Sequence, residues 1–107
     1  MKVGDMIGGL YKKTLPDGSQ RWELVETKVT KIVSNSRGTK CCSKRFYPLD
    51  VEDVETTTQQ MEHAEGYVLT REPMLLTDTV RKKCERWVEW ANTNPNKAVS
   101  VLCDITE

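Results

Sequence analysis

The sequence predicts an α+β fold: a small, curved, antiparallel sheet or SH3-like β-barrel, one amphipathic helix at about residues 71–92, and a C-terminal strand. Segments rich in β-branched and aromatic residues alternate with turn motifs in the first half of the chain. Apolar residues then recur at helical spacing from Leu76 to Ala91. A period-two pattern follows at residues 98–105. The apolar face of a single amphipathic helix has to pack against another element, and the predicted sheet supplies it, so the pattern indicates an α+β fold.

Length and composition predict a single domain that spans residues 1–107. Apolar residues make up 37% of the chain and charged residues 30%, which is ordinary for a soluble globular protein. The N-terminal residues lack the apolar segment of a signal peptide, and no apolar run reaches membrane-spanning length. We therefore expect a cytoplasmic protein with reduced thiols and no membrane partner.

The first strands are predicted from turn chemistry. Residues 6–11 form the first strand, with a bulge expected at Gly8-Gly9. Residues 15–19 carry Pro-Asp-Gly, a hairpin signal. Residues 21–34 are the longest strand candidate, and their apolar residues change parity midway, which predicts a bent or bulged strand.

The middle of the chain is predicted to continue the sheet. A turn at residues 35–38 leads into a third strand at 39–47, which Pro48 ends. Residues 49–54 then suit a charged edge strand, and residues 55–65 are polar enough for a loop or a weak hairpin. The single histidine, His63, is interpreted as a solvated loop residue.

The helix has two candidate starts. Thr70 is a suitable N-cap for a helix that begins at residue 71, and Thr77-Asp78 offers a second start. Asn92 and the Asn94-Pro95 pair end the helix. Its apolar stripe places Trp87 in the core, and we expect Trp22 there as well.

The junction before this helix carries a family resemblance. Leu69, Thr70, Arg71 and Glu72 follow a β-rich half whose third strand ends at the aromatic pair 46–47. In this pattern the chain resembles small accessory proteins of phages and prophages, in which a threonine caps the helix. Some small phage proteins inhibit host-defence systems such as CRISPR nucleases. The resemblance implies a non-enzymatic protein of the host-cell cytoplasm that binds and blocks a host protein, with a defence nuclease as the candidate.

Catalytic and cofactor motifs are missing from the sequence. It contains no phosphate-binding glycine loop and no dinucleotide fingerprint. Cys41 and Cys42 are adjacent, so along a strand they point to opposite faces and cannot easily share one zinc ion. Cys84 and Cys103 suit small core positions. We therefore expect no enzyme, no metal and no cofactor.

Charge is segregated along a chain whose net charge is zero. Residues 1–49 carry +6, residues 50–78 carry −7 and residues 79–107 carry +1. Such segregation favours separate basic and acidic surfaces, suited to polar partners or to a homodimer. The alternative is that folding brings the two signs together and cancels them.

Two features are candidates for binding a partner protein. An acidic run either forms a solvated edge strand or imitates the phosphates that a nuclease groove binds. Trp90 lies off the apolar stripe of the helix, so it suits an interface or packs against the last strand or a second copy. The acidic candidates are Asp50, Glu52, Asp53 and Glu55.

A small SH3-like-barrel nucleic-acid-binding protein is the alternative function. Basic residues cluster around the second and third strands, close in sequence to Trp22 and Phe46. The neutral net charge and the aromatic content of 7% argue against it. Its candidate residues are Lys28, Lys31, Arg37, Lys40, Lys44, Arg45 and Tyr47.

Overall fold

The structure is a computed structural model that describes residues 1–64, 67–68, 73–95 and 105–106. The chain is α+β, as the sequence predicts, and the described residues form two helices and antiparallel strand pairs. The strands are β1 (Met6–Thr14), β2 (Gln20–Lys28), β3 (Lys31–Asn35), β4 (Gly38–Cys42), β5 (Leu49–Asp50), β6 (Tyr67–Val68), β7 (Met74–Leu75) and β8 (Ile105–Thr106). The helices are α1 (Val51–His63) and α2 (Asp78–Thr93).

The described strands form open sheets. The first sheet has the order β2-β1-β7, the second has the order β3-β4-β5, and β6 pairs with β8. No closed barrel is found among these strands, so the barrel form of the prediction is wrong. The reason lies at Val29-Thr30, where the predicted strand 21–34 leaves the first sheet and enters the second.

The predicted strand is broken between β2 and β3, but the change of parity lies within β2, where Leu24 faces the α2 core cluster and Val25 lies on the opposite sheet face. The Val29 side chain is 1% exposed, and the Val29 N–H donates to the Asp5 carbonyl over 2.9 Å. The Thr30 N–H donates to the Cys42 carbonyl over 2.9 Å. Two successive residues therefore bond to different sheets.

The β1–β2 hairpin has the predicted turn but no bulge. Gly18, with φ of 86°, occupies the turn, and its N–H donates to the Leu15 carbonyl over 2.9 Å. The pairing runs without interruption from Met6–Lys28 to Thr14–Gln20, so the bulge expected at Gly8-Gly9 is wrong. Gly8 serves close packing instead: a Cβ there would lie 2.8 Å from the Val25 carbonyl oxygen.

Helix α1 replaces the predicted edge strand and loop. Only Leu49–Asp50 are strand, and the third strand ends at Cys42 rather than at residue 47. Val54 and Met61 are buried on one face of α1, at helical spacing. Thr58 completes that face, because its hydroxyl donates to the Val54 carbonyl (2.8 Å) and accepts from the Leu75 N–H (2.6 Å).

Helix α2 uses the second predicted start. The Thr77 hydroxyl accepts a hydrogen bond from the Val80 N–H over 3.2 Å, which caps the first turn. Met74–Leu75 form a strand against Ile7 and Gly8, so a helix from residue 71 is wrong. Thr70, Arg71 and Glu72 lie outside the described residues, as do residues 98–104 of the predicted last strand, including Cys103.

The buried side chains of the described residues form two core clusters. In the first, Trp22 and Trp87 pack edge to face with ring centroids 4.9 Å apart, as their predicted core positions require. The second lies between the sheets and α1; its buried members are Ile7, Val29, Cys41 and Val54. Cys41 is buried, whereas Cys42 is half-buried, as expected for neighbours on opposite strand faces.

Side chains that bond to backbone groups fasten both helices. The Asn92 amide accepts from the Trp22 N–H (2.8 Å) and donates to the Trp22 carbonyl (3.0 Å), so it pairs with β2 as a strand would. The Lys83 ammonium donates to three carbonyls at the end of α1. No helix within the described residues is long and apolar enough to cross a membrane.

Candidate functional site

The four acidic residues singled out in the sequence line one cleft. Asp50 ends β5, and the other three lie in the first turns of α1, opposite the β3–β4 turn. The cleft has a volume of about 460 Å³. Its lining residues are Arg37, Gly38, Thr39, Asp50, Val51, Glu52, Asp53 and Glu55. The β5–α1 junction thus gathers carboxylates that the sequence placed on an extended strand.

Two of these carboxylates have cationic partners. The Lys40 ammonium lies 3.9 Å from an Asp50 oxygen, and the N-terminal ammonium of Met1 lies 3.2 Å from a Glu55 oxygen. Folding therefore cancels part of the charge that the sequence segregates. This is the alternative outcome anticipated for the charge pattern.

Glu52 and Asp53 form the exposed part of the acidic group. Both lie in the first turn of α1, where the helix dipole stabilises negative charge by about 0.3–1 kcal/mol per residue. No ion pair is found for either side chain within the described residues. Their charge is available to a partner.

The predicted basic residues of the β3–β4 hairpin are spread along its length, although Lys31 and Lys40 lie on the same sheet face. Arg37 lies in the β3–β4 turn and lines the acidic cleft, and Lys40 pairs with Asp50. Lys31 lies opposite Cys42 at the other end of that hairpin, four residues from the Asn35–Gly38 pair. The separation is about 13 Å along the strands. Lys44 and Arg45 follow Cys42, so they lie nearer to this second end.

The loop at residues 43–48 presents an aromatic residue to solvent. The Ser43 hydroxyl accepts from the Phe46 N–H over 3.2 Å and lies 3.4 Å from the Phe46 carbonyl oxygen, to which it donates. Phe46 turns inward and stacks on Tyr11, with ring centroids 6.0 Å apart. Tyr47 turns outward and is 90% exposed. Lys44 and Arg45 are also exposed.

An apolar pocket lies beside Tyr47. It has a volume of about 490 Å³ and is lined by Tyr11, Val25, Arg45, Phe46, Tyr47, Leu49 and Pro73. Arg45 is the charged residue among the described lining residues, which include no carboxylate. The pocket is called the aromatic pocket below.

The aromatic pocket has a simple origin in the register of the first sheet. Tyr11 and Val25 lie on the same sheet face, because Gly9 pairs with Val25 and precedes Tyr11 by two residues. The opposite face carries Leu10 and Trp22, which belong to the core cluster under α2. Sequence reasoning selected Phe46 and Tyr47 but missed Tyr11, whose partners come from a distant loop.

Trp90 does not join the acidic cleft. It is half-buried against the α2 core cluster, with its ring 6.4 Å from the Trp87 ring. It lines a separate shallow pocket of about 290 Å³ with Arg86, Glu89, Thr93 and Asn94. The structure therefore separates two features that the sequence grouped as one partner-binding set.

The described thiols and the histidine lie apart from both sites. Burial raises the pKa of the Cys84 thiol from 9.0 to about 11 and also raises the pKa of the Cys41 thiol. Thiols with raised pKa values are mostly protonated at neutral pH and are poor nucleophiles. His63 is exposed at the last turn of α1. No group of three or more metal-binding side chains is found in the described part of the chain.

Comparison with known proteins gave no match: no protein-family profile, no curated protein and no solved structure is significantly similar to this chain. The resemblance to small phage proteins stays a hypothesis.

Proposed function

We propose that this chain is a non-enzymatic binding protein of phage or mobile-element type, which attaches to a basic surface of a host protein and blocks it. The observation that carries the proposal is the gathering of the four predicted carboxylates around one cleft. Glu52 and Asp53 supply the exposed charge, and Asp50 and Glu55 extend the acidic surface through carboxylates that share their charge with neighbouring cations.

A host-defence nuclease is the partner that this chemistry suits. A nuclease carries a basic groove that binds the phosphate backbone. Carboxylates on the rigid first turn of a helix can occupy such a groove, and complementary charge accelerates the encounter. Because these carboxylates lie at the rim, their main effect is expected on the association rate and on its dependence on salt.

The experiment is affinity capture of the tagged protein from a bacterial host lysate, with and without nuclease treatment, followed by binding kinetics with the purified partner. The test variant reverses both exposed charges, Glu52→Lys with Asp53→Lys. The matched control is Glu85→Lys with Glu89→Lys, which makes the same charge change at exposed positions of α2.

The proposal predicts one protein partner that survives nuclease treatment. The Glu52/Asp53 variant should associate at least about 10-fold more slowly at low salt, whereas the Glu85/Glu89 variant should bind like the wild type. Equal loss in both variants would show a dependence on net charge alone and would contradict the assignment of the cleft. Loss of all protein partners on nuclease treatment would contradict the proposal itself.

A further inference from the structure

The aromatic pocket and the acidic cleft suit chemically different ligands. We propose that it binds single-stranded nucleic acid, with one base against Tyr47 and the adjoining phosphate on Arg45. This site is independent of the acidic cleft and does not require the function proposed above.

The first argument is the exposure of Tyr47. A tyrosine ring that is 90% exposed offers its π-face to a ligand, and the aromatic pocket beside it is apolar and wide enough for a planar group. Phe46 and Tyr11 stack on each other, and the stacked pair forms one wall of the pocket. Bases stack on such aromatic platforms without regard to sequence.

The second argument is charge complementarity. Arg45 lines the aromatic pocket, and Lys44 precedes it in the same exposed loop; none of the described lining residues carries a carboxylate. A guanidinium group binds a phosphate through two parallel hydrogen bonds. Glu23, which pairs with Tyr11 across the β1–β2 hairpin, lies 3.9 Å from the Arg21 guanidinium, so its charge is partly compensated.

The third argument is that the loop is held in place. The Ser43 hydroxyl bonds to both backbone groups of Phe46, and the Phe46 ring packs against the core cluster between the two sheets. Arg45 and Tyr47 therefore flank an anchored residue. An exposed tyrosine is also a common contact for a partner protein, but a cationic loop beside a pocket whose described lining residues carry no carboxylate favours a phosphate-bearing strand.

The test uses a fluorescein-labelled oligothymidine of about 12 nucleotides, which lies within the site size of small binding domains. Fluorescence anisotropy is recorded over a range of salt concentrations, with an oligouridine and a duplex of equal length as further probes. The variants are Tyr47→Ala, Tyr47→Phe and Arg45→Ala. Val33→Ala, at another exposed apolar position, and Lys82→Ala, at an exposed cation of α2, are the matched controls.

We expect Tyr47→Ala to weaken oligothymidine binding about 5- to 150-fold, and Tyr47→Phe to retain it because the ring remains. Arg45→Ala should reduce the slope of log affinity against log salt by about 0.7, the value for one phosphate contact on a single strand. The two controls and the Glu52→Lys/Asp53→Lys variant should not weaken binding, so failure of one proposal is separable from failure of the other.

Three results would overturn the inference. The first is no binding of either single strand at low salt by a folded protein, as checked by circular dichroism. The second is equal weakening by Tyr47→Ala and Val33→Ala. The third is loss of a captured protein partner on Tyr47→Ala without any oligonucleotide binding, which would assign the aromatic pocket to a protein ligand instead.

Discussion

The Lys83 ammonium offers the sharpest test of how this fold is held together. It donates to the carbonyl oxygens of Met61 (2.9 Å), Glu62 (3.0 Å) and Ala64 (2.7 Å). Helix α1 has no glycine at its C-terminal end, and Ala64 leaves the helix in an extended conformation. One side chain of α2 thus satisfies the exposed end of α1 and ties the two helices together.

The substitution Lys83→Met removes the charge and the donors but keeps an unbranched apolar side chain. Hydrogen bonds to charged groups contribute about 1.5–3 kcal/mol each, although one ammonium cannot optimise three at once. A cation at a partly buried helix C-terminus contributes up to about 2 kcal/mol. We expect the free energy of unfolding to fall by about 2–3 kcal/mol, which lowers Tm by roughly 10–20 °C in a domain of this size.

The assay is urea unfolding at equilibrium, followed by tryptophan fluorescence, with Lys82→Met as the control. Lys82 is the preceding residue on α2 and is exposed, so its loss should change stability by less than about 0.5 kcal/mol. Amide hydrogen exchange should also show faster exchange in the last turn of α1 in the Lys83 variant alone. Equal stability of the two variants would refute the capping role of Lys83.

Three further predictions concern the core and its edges. Asn92→Asp keeps the acceptor for the Trp22 N–H but loses the donor to the Trp22 carbonyl. We expect the free energy of unfolding, measured in urea, to fall by about 1–3 kcal/mol. An unchanged free energy of unfolding would show that the pairing with Trp22 is unimportant. Gly8→Ala sets a Cβ 2.8 Å from the Val25 carbonyl oxygen, and thermal unfolding should show a loss of about 1–3 kcal/mol; an unchanged Tm would contradict this packing. Burial raises the pKa of Cys84 from 9.0 to about 11, so the unfolded chain loses this proton first as pH rises. The free energy of unfolding should therefore lose a contribution of about 2–3 kcal/mol from Cys84 between pH 9.0 and about 11. This contribution should be absent in the Cys84→Ala variant.

Features that depend on neighbouring residues can be predicted from the amino-acid sequence alone. The α+β class follows from the succession of strand and helix patterns, and the hairpin turn at Gly18 follows from turn chemistry. The sequence offered both Thr70 and Thr77 as helix caps, and the strand at Met74–Leu75 selects Thr77. The core position of Trp87 follows from apolar periodicity, and that of Trp22 follows from the usual burial of tryptophan. These signals are local, so they can be read before any tertiary contact is known.

Helix α1 shows where local periodicity was insufficient. Val54 and Met61 have helical spacing, but the residue between them on the buried face is Thr58, a polar residue that interrupts the apolar pattern. Its burial becomes favourable through the hydrogen bond to the Leu75 N–H, a group 17 residues away in the chain. The helix could be recognised only once β7 had provided that donor.

Only the tertiary structure decided how the charges and aromatic residues are shared between surfaces. Lys40 meets Asp50 across β4 and β5, and the N-terminal ammonium meets Glu55, so charges segregated in sequence are partly cancelled in space. Tyr11 and Phe46 likewise meet from distant segments to form one wall of the aromatic pocket. Electrostatic and stacking interactions act over a few ångströms, and chain distance does not determine which groups come that close.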